Sequence, residues 1–337
     1  MGKSRILVVG GTGYMGRRIV KGSLAEGHPT YILRRPEIGM DIEKLQVLLE
    51  FKRQGAVLVE GSFPDHQSLV EALKQVDVVV CTMSGVHFRT HNLLMQLKLV
   101  DAIKEAGNIK FGMDPAQMMH ALEPGRVTFD EKMTVRKAIE AANIPRTYIS
   151  ANCFGGYFVG NLSQMGTLLP PKDKVLIYGD GNAKAVFMGE DDIATYTIKS
   201  VDDPRTLNKT VYIRPPGNIL SQRELVQIWE NLSGNTLEKT SISGQDFLAL
   251  MKGIFSFFIK RNDSTNLRQL KKEYNSTIMK CNADADFAGQ VGLGHFYHIF
   301  YDGCLTSFEI GEDGEEASRL YLEVQYKRMD EYLKLYL

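Results

Sequence analysis

Short apolar runs alternate with amphipathic stretches through the first half of the chain. Ile6 to Gly10 is apolar and closed by glycine, and Tyr14 to Glu26 follows with apolar residues at helical spacing, so strand, turn and helix are predicted in that order. The pattern repeats. Thr30 to Arg35 reads as a second strand, Glu43 to Gln54 as a second helix and Ala56 to Gly61 as a third strand. His66 to Gln75 is helical, with Leu69, Ala72 and Leu73 on one face, and Val76 to Met83 is apolar enough to be buried on both faces. Helices over Thr90 to Ala106 and Phe129 to Ala142 and a strand over Arg146 to Ala151 complete this half. Such alternation predicts an α/β fold with a parallel, doubly wound sheet.

Beyond about residue 152 the strict alternation ends. Strands are expected at Lys174 to Tyr178, Ala185 to Met188 and Thr210 to Arg214, with helices at Asp191 to Lys199, Ser221 to Ser233 and Asp330 to Leu337. No repeat or low-complexity linker separates the halves. The expected division is a nucleotide-binding unit over 1–152 and, over 153–337, mainly a smaller α/β substrate lobe packed on it.

Gly10-Gly11-Thr12-Gly13-Tyr14-Met15-Gly16 sits between the first strand and the first helix. Glycines there permit a tight turn and let the backbone approach a pyrophosphate, whose charge is favoured at a helix N-terminus. The context, more than the glycines, makes this a dinucleotide site. The end of the second strand separates NAD from NADP, because an acid there would bind the ribose 2'-hydroxyl whereas a cation accommodates a 2'-phosphate. Here Leu33-Arg34-Arg35-Pro36 contains no acid, which favours NADPH. Arg35 is the candidate cation and Lys44 a second one; both are also compatible with a solvated surface.

Charge narrows the partners. The 337 residues carry 40 Lys+Arg against 40 Asp+Glu, which lacks the basic excess of a nucleic-acid binder or a polybasic membrane protein. A small-molecule partner fits better. No apolar stretch reaches membrane-spanning length. The four cysteines, Cys81, Cys153, Cys281 and Cys304, are scattered, so neither a disulfide framework nor a metal cluster is expected and a reducing, cytoplasmic setting is.

None of the tyrosines has lysine four residues later, so the tyrosine-lysine dyad of ordinary short-chain dehydrogenases is missing. The helix that should carry it offers Lys132 and Arg136 on one face instead. A free lysine is a poor base near neutrality unless burial or a neighbouring cation such as Arg136 lowers its pKa. Hydrolytic serine and zinc motifs are absent. His295-x-x-His298 shows no carboxylate partners at a convincing spacing, and His298 reads as a core or surface residue.

Taken together, GGTGYMG at 10 to 16, LRRPEIG at 33 to 39, MSGVHFR at 83 to 89, FGMDP at 111 to 115, FDEKMTVRKAIEAANIP at 129 to 145, NLSQM at 161 to 165 and GHFYHIFYDGCLTSFEIG at 294 to 311 carry a resemblance. The chain resembles the plant pinoresinol-lariciresinol reductases, isoflavone reductase-like and NmrA-type members of the atypical short-chain dehydrogenases. The resemblance implies an NADP-binding Rossmann domain, a C-terminal substrate domain and a homodimer. It implies NADPH contacts at Gly10, Gly11, Thr12, Gly13, Tyr14, Met15, Gly16, Arg35, Lys44 and Arg136, a proton acceptor at Lys132 and a substrate contact at His295. The implied reaction is NADPH-dependent reduction of furofuran lignans. Phenylcoumaran benzylic ether or isoflavone-type reduction, or an NADP-binding regulator without turnover, are the alternatives. Phe88, Phe154, Tyr157 and Phe296 are candidate pocket walls, each also compatible with core packing.

Two stretches depart from the family pattern. Between Lys110 and Phe111 about six residues are missing that would form the fifth parallel strand and the loop beyond it, where open α/β sheets bind ligands. The sheet is therefore expected to lack that strand. Residues 253–282 form an excess of about thirty residues without a clear helical or strand period, read as an insertion.

Overall fold

The structure, a computed structural model, describes residues 2–83, 93–107, 110–112, 122, 126–251 and 287–337. The first half runs β1 (Ile6–Val9), α1 (Gly16–Ala25), β2 (Thr30–Arg34), α2 (Ile42–Arg53), β3 (Val57–Glu60), α3 (His66–Leu73), β4 (Val78–Cys81), α4 (Gln96–Ala106), β5 (Lys110–Gly112), α5 (Arg126–Ala141) and β6 (Thr147–Ser150). Five of these strands form a parallel sheet in the order β3-β2-β1-β4-β5. β1 is wholly buried at its centre, with Ile6 opposite Thr30 on one side and Val78 on the other. Strand order reverses beside β1, which opens a crevice at the carboxyl ends of β1 and β4. Helices cover both faces because both faces of a parallel sheet are apolar. Asp41 and Asp65 cap α2 and α3 by accepting the Lys44 and Ser68 amides at 3.1 and 3.2 Å.

The doubly wound α/β expectation holds, with one correction inside it. The fifth strand is present: Lys110, Phe111 and Gly112 pair with Val78, Val79 and Val80 of β4. The open edge of β4 offers unpaired backbone groups, and the segment directly after α4 satisfies them whichever residues it carries. What would follow β5, over 113–121, lies outside the described residues, as do residues 84–92 with Phe88. Residues 252–286, which include the 253–282 insertion, lie outside them too.

The second half contributes β7 (Cys153–Phe154), α6 (Gly155–Phe158), β8 (Lys174–Tyr178), β9 (Lys184–Met188), α7 (Glu190–Val201), β10 (Lys209–Tyr212), β11 (Ile219–Ser221), α8 (Gln222–Ser233), β12 (Glu238–Ile242), α9 (Gly244–Met251), α10 (Phe287–Phe300), β13 (Gly314–Glu316), α11 (Ala317–Leu320) and α12 (Met329–Leu333). β6 of the first half pairs in parallel with β10, and β10 with β13. β11-β9-β7 and β12-β8 make two smaller sheets. α7 returns to pack along α1: Ala194 and Ile198 join Ile6, Val8, Ile19 and Val20 in one buried cluster. α8 begins with a reciprocal Ser221–Glu224 capping box and ends at Gly234, whose φ of 72° is left-handed.

Candidate active site

The glycine turn follows β1 at the crevice. Gly10 has φ of +85°, and a Cβ there would meet Thr82 Oγ1 at 2.9 Å. Gly16 is tighter, since its Cβ would sit 2.0 Å from the Gly10 carbonyl oxygen, and a Cβ on Gly11 would meet Ile32 Cγ2 at 2.7 Å. The turn closes through Gly13 N–H donating to the Gly10 carbonyl at 2.9 Å. The amides of Thr12, Tyr14 and Met15 find no acceptor among the described residues. They lie in the turn just before α1, and unpaired donors at that place fit a pyrophosphate.

At the end of β2, Arg34 pairs with Glu60 and Lys44 with Asp41, while Arg35 is exposed beside them. Arg136 lies on α5 with its guanidinium 4.2 Å from the centre of the Tyr148 ring. Burial holds it below the ordinary arginine pKa.

Lys132 occupies the same face of α5. Its ammonium lies 6.0 Å from the centre of the Phe129 ring, and burial pushes its pKa down to about 8. Desolvation of the charged form is the whole cause; Arg136, one turn on and stacked on Tyr148, is not what lowers it. His295 of α10 packs edge-on against the same Phe129 ring at 5.1 Å, and its Nε2 is 3.4 Å from Thr128 Oγ1. The lysine and the histidine thus approach the same aromatic ring.

Ring contacts continue from there to the glycine turn. Phe296, next to His295, stacks on Phe158 of α6 at 5.2 Å. One residue before Phe158, Tyr157 meets Tyr14 edge-on at 5.3 Å, and Phe154, just ahead of α6, lies 6.5 Å from Tyr14. Of the expected pocket walls, Phe154 and Tyr157 border the turn. Phe296 belongs to an aromatic cluster around the buried Tyr178 and Phe300.

His298 is buried, as its reading as a core residue has it, but it does have a carboxylate partner: its Nδ1 lies 2.6 Å from Asp302 Oδ2, and its Nε2 accepts the Leu122 amide at 2.9 Å. The carboxylate partner four residues on was present in the sequence at helical spacing. Sequence reasoning also missed Glu190, whose buried carboxylate accepts the Tyr14 hydroxyl at 2.6 Å, the Gly156 amide at 2.8 Å and the Tyr332 hydroxyl at 2.9 Å. Acids in a helix's first turn are ordinary, so only the Gly155-Gly156 pair hinted at a close approach there. Among the described residues no cluster of His, Cys, Asp or Glu could hold a metal ion.

Comparison with known proteins places the whole chain. Residues 2–333 match the NmrA-like family. An isoflavone reductase homolog from Lupinus albus is 68% identical over 342 aligned positions covering 100% of both chains. Since 342 exceeds the 337 residues here, the relative carries residues that this chain lacks. A bifunctional pinoresinol-lariciresinol reductase from Linum perenne is 63% identical, with 98% of both chains covered. The solved structure of AtPrR2 with NADP+ and (+)pinoresinol is 60% identical and superposes with a TM-score of 0.87 over 100% of both chains. A glycine turn with free amides, a partly buried lysine on α5 and this similarity end to end agree: the chain belongs to the NmrA-like family.

Proposed function

We propose that the protein is an NADPH-dependent reductase of furofuran lignans, taking pinoresinol to lariciresinol and then to secoisolariciresinol. The observation that carries this is Lys132, an ammonium whose desolvation brings its pKa down to about 8, in a chain 63% identical to a bifunctional pinoresinol-lariciresinol reductase. The alternative of a nucleotide-binding regulator leaves that desolvated lysine without a use. The Lupinus relative keeps isoflavone-type reduction as the second reading.

The amides of the Gly10 to Gly16 turn, with Thr12, Tyr14 and Met15, would hold the pyrophosphate of NADPH; Arg35 and Lys44 would meet its 2'-phosphate, and Arg136 would add a further contact. When bound, that cofactor supplies the hydride. Lys132 accepts the proton of the phenol para to the benzylic carbon. The released electron pair runs through the ring and breaks the benzylic C–O bond of the ether, giving a quinone methide and an alkoxide that takes up a proton. Hydride arrival at the benzylic carbon restores the phenolate, and the Lys132 ammonium returns its proton there. Each reduction consumes one hydride and one proton. His295 orients the substrate, held at Thr128. Residues 1–152 supply the cofactor site and most of the remainder the substrate lobe. We place the protein in the cytosol as a homodimer; no described helix is long and apolar enough to cross a membrane, and Cys81, Cys153 and Cys304 are free thiols.

The test is product analysis of purified protein with NADPH and each pinoresinol enantiomer. Lariciresinol and secoisolariciresinol are expected. NADPH binding without either product would overturn the reading in favour of a non-catalytic nucleotide binder.

A further inference from the structure

Glu190 is the first residue of α7 and only 2% exposed, yet no basic side chain pairs with it among the described residues. A carboxylate so buried needs donors, and it has three from three separate parts of the chain. One is the Tyr14 hydroxyl, from the glycine turn. Another is the Gly156 amide, at the start of α6. The third is the Tyr332 hydroxyl, from the C-terminal helix α12.

The surroundings are shaped for this junction. A Cβ on Gly156 would lie 2.4 Å from the Tyr14 hydroxyl, and one on Gly155 would lie 2.5 Å from Cζ of Tyr332. Two successive glycines thus admit two tyrosines to one carboxylate. The ring of Tyr14 is covered on one face by the Arg18 guanidinium at 4.4 Å, and Arg18 in turn pairs with Asp191, the residue after Glu190. Next along the same turn of α7, Asp192 accepts the Lys327 amide at 2.8 Å, a second tie to the C-terminal segment. Tyr14 itself remains 36% exposed, so the hydroxyl end is held while the backbone that carries it borders the crevice.

We infer that Glu190 is a positioning residue for the cofactor site, holding the glycine turn through Tyr14 and fastening the C-terminal helix to that turn through Tyr332. The inference rests on the reading that this turn binds NADPH. Its physical content is pre-organisation: the three free amides of the turn point at a pyrophosphate only while the turn keeps its shape, so loosening the clamp weakens binding rather than chemistry. Neither Glu190 nor Tyr332 touches the proton path from Lys132.

The experiment is fluorescence titration of NADPH, with steady-state kinetics, on wild type, Tyr332→Phe, Glu190→Gln and Glu190→Ala. Tyr332→Phe removes one donor and should raise the Kd and KM for NADPH three- to ten-fold while kcat stays within two-fold. Glu190→Gln still accepts from Tyr14 and should fall between wild type and Glu190→Ala. If Glu190→Ala does not fold, Tyr332→Phe and Glu190→Gln carry the test. A lowered Tm with unchanged NADPH affinity in those two would overturn the inference, because the clamp would then be structural only. Failure of the wild type to bind NADPH would overturn the cofactor reading, and this inference with it.

Discussion

Lys132 shows how one residue's burial becomes chemistry. With its pKa near 8, roughly a tenth of the side chain is neutral at pH 7, against fewer than one in a thousand for a free lysine. Turnover under kcat/KM conditions should therefore rise with pH through about 8 and then level off, and a flat profile between pH 6.5 and 9 would remove Lys132 as the base. The same shift has a stability cost. A lysine whose folded pKa lies below its unfolded value of 10.5 opposes folding in full below pH 8 and stops doing so as pH rises to 10.5. Lys132→Met should consequently be more stable than wild type at pH 7, by on the order of 3 kcal/mol, with the advantage shrinking between pH 8 and 10.5 in urea titrations. Its NADPH binding should persist while product formation is lost. At Arg35 the expected effect is on selectivity: Arg35→Ser should weaken NADPH roughly ten-fold and leave NADH nearly unaffected, read by titration with each nucleotide.

Elements here depend on side chains that stand in for backbone. β8 pairs on one side with β12; along its other edge, two glutamines take the place of a strand. Gln164 accepts the Leu176 amide at 2.9 Å and donates to the Leu176 carbonyl at 3.1 Å, while Gln222 accepts the Tyr178 amide at 2.9 Å and donates to the same carbonyl at 2.8 Å. Gln222→Leu would strand the buried Tyr178 amide and should destabilise the protein by about 2 kcal/mol, measured as a lower urea midpoint at unchanged slope. The glycine turn makes the opposite demand, for absence of a side chain. Gly16→Ala would drive a methyl group into the Gly10 carbonyl, so both Tm and NADPH affinity should drop; an alanine variant that binds NADPH normally would show that the turn has room to spare.

At the scale of the molecule, the two halves are interlocked rather than juxtaposed. α7, from the second half, lies along α1 of the first, with Arg18 3.2 Å from Asp191 at one end and Lys199 3.8 Å from Glu26 at the other. The Ser4 amide and hydroxyl both donate to Asp202 just past α7. Removing everything after residue 152 would bare the apolar side of α1 that Ala194 and Ile198 cover and would take away β10, the partner of β6. A 1–152 fragment should for that reason lack a cooperative unfolding transition, although it holds the whole glycine turn. A sharp transition in circular dichroism would show that the first half is an independent unit.

The sequence alone determined what depends on neighbours in the chain. Strand and helix follow from local periodicity, and the dinucleotide turn follows from three glycines between a buried strand and a helix, so both are legible in the order of residues. The short β5 is not, because β4's unpaired edge, rather than the character of residues 110–112, makes that strand. Tertiary structure likewise decided which polar groups lose water. Lys132 looks like any helix lysine until Phe129 and its surroundings desolvate it, and Glu190 like any first-turn acid until Tyr14, Gly156 and Tyr332 converge on it from 176, 34 and 142 residues away. Burial is a property of what packs against a side chain, and those partners lie far along the chain.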